Sequence, residues 1–192
     1  MVATIENAIA SLSASLPDAS LRMRHGEAEG VALSASSREL SGETLSADAP
    51  QEMRRVIARR RDFPSLAKGC AVEVEDEWHI VTSCRTDPVG ASLTVGLSAS
   101  LSAVRVAYSR PGTKVRFPLD ALAVESETLE PIADSFAPTS CRAWFVAITA
   151  EDWREPSEPQ VGDALTLGGA NLRVASVAKH DGFWILTCRA RR

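Results

Sequence analysis

The chain is poor in the residue types that most function classes require. Aromatic residues make up 5% of its 192 residues, too few for the stacking platforms that read single-stranded bases or for aromatic cages. Its four cysteines, Cys70, Cys84, Cys141 and Cys188, lie far apart and form no CxxC or CxxH pair, so the spacing of a zinc site is missing. No apolar run approaches the ~20 residues of a membrane helix. The net charge is −4, from 25 acidic and 21 basic residues, which gives no global argument for nucleic acid. There is no GxSxG, no P-loop and no GxGxxG. The expectation is a non-enzyme with no cofactor, no metal and no membrane partner, whose thiols are free and buried inside a cell.

Hydrophobic residues, at 45% against 24% charged, supply enough apolar material for one or two cores. Residues 1–10 contain Glu6 and no basic residue, unlike a secretory leader. Ile5, Ala8, Ile9, Leu12 and Leu16 recur at i, i+3, i+4, i+7 and i+11 before Pro17, which predicts a short amphipathic helix over residues 1–17.

After Pro17 the pattern becomes that of short strands separated by turns. Leu21-Arg22-Met23-Arg24-His25 alternates apolar with basic residues, and Val104-Arg105-Val106-Ala107-Tyr108 does so again. Each is followed by a turn and a returning strand, and Pro111-Gly112 suits the centre of a type II turn. A second set of features also occurs twice. Asp62-Phe63-Pro64 leads to Gly69, Val72-Glu73-Val74, an acidic turn, Trp78-His79-Ile80 and Leu93-Thr94-Val95. Asp152-Trp153 leads to Gly162, Leu165-Thr166-Leu167, Gly168-Gly169, Leu172-Arg173-Val174 and Trp184-Ile185-Leu186.

The order predicts a mainly β chain of two tandem small β-barrels (or sandwich-like domains), over residues 18–101 and 102–192. Each would close five or six strands. Val72, Val74, Trp78 and Ile80 are expected inward in the first, matching Leu165, Leu167, Leu172 and Val174 after a one-residue difference in turn length. Residues 34–50 and 125–139 read as long loops.

Five arginines, Arg54, Arg55, Arg59, Arg60 and Arg61, fall within eight positions. They suit a patch for phosphate or an acidic partner, and equally a strand whose outer side is solvated and balanced by Glu39, Glu43, Glu52 and Asp62. They are the candidate assembly interface. His25, His79 and His180 sit in no catalytic signature and read as structural or solvent-facing. The adjacent acids Glu75-Asp76-Glu77 and Glu151-Asp152 read as wet turns. Trp78 and Trp184 read as core, and Trp144 and Trp153 as core or an interface anchor.

The run from Val56 through Phe63-Pro64, Leu66-Ala67-Lys68-Gly69, Val72-Glu73-Val74 and Trp78-His79-Ile80-Val81 resembles the small β-barrel head–tail joining and tail-attachment proteins of long-tailed bacteriophages. The stretch Pro159-Gln160-Val161-Gly162-Asp163-Ala164-Leu165 with Leu172-Arg173-Val174 resembles the same region, as a tandem duplication. The resemblance implies a virion protein of the phage or prophage neck, assembled in the bacterial host cytoplasm. Its partners would be other neck and tail proteins, and it would form a homo-oligomeric ring, with three two-barrel chains imitating six-fold symmetry. The competing reading is an OB-like module that binds single-stranded nucleic acid through the arginine run.

Overall fold

A computed structural model describes residues 18–25, 29–35, 52–130 and 139–190. The helix expected over residues 1–17 lies outside the described residues, as does most of the loop expected over residues 34–50. The described chain is built from strands and turns and divides into two compact units between Ser100 and Leu101.

The first unit contains β1 (Asp18–Met23), β2 (Glu29–Ala35), β3 (Arg54–Arg59), β4 (Ala71–Val74), β5 (Glu77–Thr86) and β6 (Ser92–Leu97). Its strands are hydrogen-bonded in the order β1-β2-β3-β6-β5-β4, and β4 returns to β1, which closes a six-stranded antiparallel barrel. Alternation explains which side chains fill it. In β1, Leu21 and Met23 are buried while Arg22 points out and pairs with Glu73 of β4. In β3, Val56 and Ala58 are buried and Arg55 and Arg59 exposed. The core gathers these with Phe63, Leu66, Val72, Val74, Val81, Leu93, Val95 and Leu97. Each large aliphatic or aromatic side chain removed from water contributes about 1.5–3 kcal/mol.

The second unit contains β7 (Ser102–Ser109), β8 (Arg116–Glu130), β9 (Thr139–Thr149), β10 (Ala164–Leu167), β11 (Ala170–His180) and β12 (Phe183–Ala190). Its order, β7-β8-β9-β12-β11-β10 with β10 returning to β7, repeats that of the first unit strand for strand. The Pro111-Gly112 turn has Gly112 at φ 76° and a hydrogen bond from the Thr113 amide to the Arg110 carbonyl, as a type II turn requires. Tyr108, Phe117, Trp153 and Trp184 pack ring against ring beside the core, with centroids 4.9–5.9 Å apart. At that end of the barrel Asp163 accepts from the Tyr108 hydroxyl, the Arg110 guanidinium (Nε at 3.2 Å) and the Gln160 amide (2.7 Å). Arg110 also donates to Ser157 Oγ and the Glu158 carbonyl, so this buried carboxylate is fully partnered and ties the connection between β9 and β10 to the barrel.

Three expectations change. The hairpin turns have equal length: Glu75-Asp76 (φ 53° and 66°) in the first unit and Gly168-Gly169 (φ 55° and 87°) in the second. Val74 is therefore opposite Glu77, and Leu167 opposite Ala170. With no offset between turns, the inward residues of β5 are His79 and Val81; Trp78 and Ile80 lie on the other face, although Ile80 is buried there. The stretch expected as a loop over residues 125–139 instead extends β8 to Glu130 and starts β9 at Thr139, because the ladder with β9 continues through Glu127 opposite Arg142 and Thr128 opposite Cys141. The best match for Leu21 is Val106 rather than Val104, since Leu21 is opposite Val74 and Val106 opposite Leu167.

The thiols of Cys70, Cys84 and Cys188 are free, and burial pushes the Cys188 thiol up to about 12, which makes it a poor nucleophile. The Cys141 side chain is outside those described.

Gly69 and Gly162 precede β4 and β10 at φ 92° and 93°, and each amide donates to the strand across the turn, Gly69 to Val81 and Gly162 to Val174. A residue with a Cβ is strained at that φ. Gly69→Ala and Gly162→Ala are each expected to lower stability by about 1–3 kcal/mol in denaturant unfolding, with both barrels affected alike; a loss at one position alone would show that the turns are not equivalent.

Candidate functional site

The five arginines of the run do not converge. Arg54 opens β3 with its side chain turned toward the barrel end, half-buried and ion-paired with Glu75. Arg55 points out and donates through Nε to Glu52 Oε1 at 2.7 Å; the other oxygen of Glu52 accepts from Ser83 Oγ at 2.9 Å. Gly96 lies beneath this group, where a Cβ would run into the Glu52 carboxylate. Arg59 closes β3 on the outer face. Arg60 and Arg61 follow in the turn, the first donating to Thr86 Oγ1 at 3.3 Å and the second 3.4 Å from Asp62. All three are exposed, and exposed Arg85 joins their side of the barrel through the row Ile57, Thr94, Arg85. Five strand steps at about 3.3 Å place Arg54 and Arg59 roughly 17 Å apart. The run thus serves both ends of one barrel: two arginines held by carboxylates at one, three solvated at the other.

The end that carries Arg54 holds a cavity of about 320 Å³, lined by Met53, Arg54, Glu75, Glu77, His79 and Ser98 with Ala99 and Ser100. Four separate segments build it: the start of β3, the β4–β5 turn, the start of β5 and the chain leaving β6. His79 is 3% exposed, and its Nδ1 lies 2.9 Å from the Ser98 carbonyl oxygen. A carbonyl only accepts, so the ring proton sits on Nδ1 and Nε2 carries the lone pair. Nε2 is buried without a hydrogen-bond partner, and Glu77 Oε2 is 3.8 Å away. Two acceptors thus face each other across a gap that one N–H donor can bridge. Burial pushes the His79 pKa below its ordinary value, with Arg54 adding to the depression and the Ser98 carbonyl and Glu77 opposing it.

The second barrel shows which residues stand at this end in the repeated circuit. From Val72 to Val81 the inward residues of β4 and β5 match those of β10 and β11 at a constant separation of 93, Val72 with Leu165 and Val81 with Val174. His79 therefore occupies the position of Leu172, which is 2% exposed in the second core. Val81 is opposite Leu97, which is opposite Arg54; Val174 is opposite Cys188, which is opposite Trp144. Arg54 thus stands where the second barrel packs Trp144 against its core. A leucine and a tryptophan close one barrel end, and a histidine and an arginine open the other. The turn adds a further contrast. Glu75 and Asp76 hold positive φ, which glycine adopts freely in the second barrel and which costs side-chain-bearing residues energy, and one of them supplies the carboxylate bound to Arg54.

Sequence reasoning singled out Arg54 but treated Glu75 and Glu77 as a solvated turn and His79 as ordinary; only the correct turn length, which sets His79 against Leu172, marks it. Among the described residues no group of three or more His, Cys, Asp and Glu side chains is placed to hold a metal ion. No protein-family model matches the chain, and a search of curated proteins finds no match.

The depressed His79 pKa has a definite consequence for stability. The unfolded chain takes up a proton near 6.5 and the folded one only at lower pH, so stability is complete above that value and falls as pH drops through it toward the folded pKa. Urea unfolding at a series of pH values between 7.5 and 5 (about one unit either side of the ordinary histidine range) is expected to show this loss in wild type, and His79→Leu is expected to flatten it. An unchanged slope in the variant would place the titration elsewhere.

Proposed function

We propose that the chain is a structural protein of a bacteriophage or prophage virion, a neck or tail-attachment component that works by docking to other proteins. What supports this reading most is how the barrels are filled. Each interior is packed by the barrel's own apolar side chains, so among the described residues the surfaces that remain for function are ends, turns and outer faces. The identical strand order of the two units, with equal turns and equivalent glycines, supports descent from a duplicated barrel of the kind the sequence resembles. The exposed Arg59–Arg61 turn suits an acidic protein face. Phe63, the aromatic nearest this turn in sequence, is 1% exposed and packed in the core, so it offers no face for a base to stack on, which favours protein docking over single-strand binding.

The decisive experiment is genetic and microscopic. In a producing strain, an antibody to the chain is expected to label the head–tail junction of purified particles, and deletion of the gene to yield filled heads and free tails. Normal joined particles from the deletion strain, or particles without the protein, would overturn the proposal. Binding to oligonucleotides that weakens steeply with salt would support the nucleic-acid reading in its place.

A further inference from the structure

We propose that the cavity bounded by Glu75, Glu77 and His79 receives a basic side chain from a second copy of this chain, supplied by its Arg59–Arg61 turn. The inference rests on the ring reading above for its biological setting, but the contact itself can be tested on the purified protein.

The chemistry of the cavity selects the ligand. With its proton on Nδ1, His79 presents a bare acceptor, and that acceptor has no partner although the residue is 97% removed from solvent. Glu77, 56% exposed, extends an acceptor 3.8 Å from it. Arg54 compensates Glu75, and among the described residues Glu77 has no cation of its own. The site therefore carries one uncompensated negative charge and two acceptors facing a common point, which calls for a cationic N–H donor. At about 320 Å³ the space lies at the lower end of the range for small-ligand sites, far larger than a bare ion needs and suited to a long side chain.

The same chain carries a matching donor. Arg59 at the end of β3 and Arg60 and Arg61 in the turn after it are exposed at the other end of the same barrel, each with five guanidinium N–H donors. Among the described residues the Arg60 guanidinium donates to the neutral Thr86 hydroxyl and Asp62 pairs with Arg61. Donor and acceptor surfaces at opposite ends of one rigid module cannot satisfy each other within the module. Between copies they produce a heterologous, head-to-tail contact, the kind that closes into a ring or runs on as a filament.

Sedimentation equilibrium on the full chain tests this. Wild type is expected to self-associate, less so as salt rises. Glu77→Lys, a change at an exposed position, and the triple Arg59→Glu/Arg60→Glu/Arg61→Glu are each expected to weaken association at least ~tenfold. Mixed together, the two variants are expected to pair again, the intact arginine turn of the first meeting the intact cavity of the second. His79→Leu, which installs the residue of the second barrel, is expected to keep or raise the thermal midpoint while losing association. The proposal is overturned if wild type stays monomeric up to about 1 mM, the weak limit of specific contacts, if association is indifferent to both charge variants, or if the mixed variants fail to pair. Each of these results leaves the virion reading to its own test, and loss of junction labelling with intact self-association would overturn that reading alone.

Discussion

Two short edge ladders hold the architecture together. In the first barrel β1 meets β4 through only three opposed pairs, from Leu21 with Val74 to Met23 with Val72; in the second, β7 meets β10 through four. Without them each unit would be an open sheet with a bare edge on either side and a core open along one seam. With them every strand has two neighbours, and the sign of the alternation is fixed around the whole circuit. Once Val72 and Val74 are inward, Leu21 and Met23 must be inward too, and after a two-residue turn so must His79 and Val81. The place of the histidine is therefore a consequence of closure. It does not reflect any local preference of its neighbours, which are apolar and strand-forming.

Repetition of the same circuit in one chain turns each position into a comparison. At the end bounded by the β4–β5 turn, the first barrel has Arg54, Glu75, Glu77 and His79 where the second has apolar or small residues. At the other end the relation reverses. Tyr108 stands where the first barrel has Met23, and Asp163, at the same separation of 93, where it has Cys70. The two polar ends also differ in kind. Every oxygen of Asp163 is partnered, so that network stabilises and immobilises. His79 keeps a buried acceptor unpartnered and is held beside a turn with backbone strain at Glu75 and Asp76. A barrel selected for stability alone would keep leucine and the glycine pair, as its counterpart does. The departure costs folding free energy, and recognition is the compensation the chemistry suggests.

The mainly β class, the hairpins beginning at Leu21 and Val104 and the inward set Val72, Val74, Leu165 and Leu167 were legible because period-two alternation survives in the sequence. The β5 parity was lost through one ambiguity. Glu75-Asp76-Glu77 reads as a three-residue acidic turn, and only positive φ at Glu75 and Asp76 shows that Glu77 already belongs to the strand. One residue of error puts Trp78 inside and His79 outside. The arginine run was visible but its division was not, because the pairing of Arg54 depends on Glu75, twenty-one positions away. The cavity was beyond reach for the same reason: its lining comes from four segments that only the barrel brings together.

The division of the run along β3 constrains how any contact through it is made. Arg54 and Arg59 are the first and last residues of a six-residue strand that is hydrogen-bonded on both sides, to β2 and β6. A strand held in this way transmits position with little give, so the cavity and the basic turn keep a fixed separation and a fixed rotation about the barrel axis. Successive copies joined end to turn would then be related by one constant operation, and its angle decides between a closed ring and an open filament. Because a shift of a single residue in β3 would reverse the faces of Arg54, Val56 and Arg59 together, the register that buries Val56 against Val95 also sets the angle at which the next copy is met.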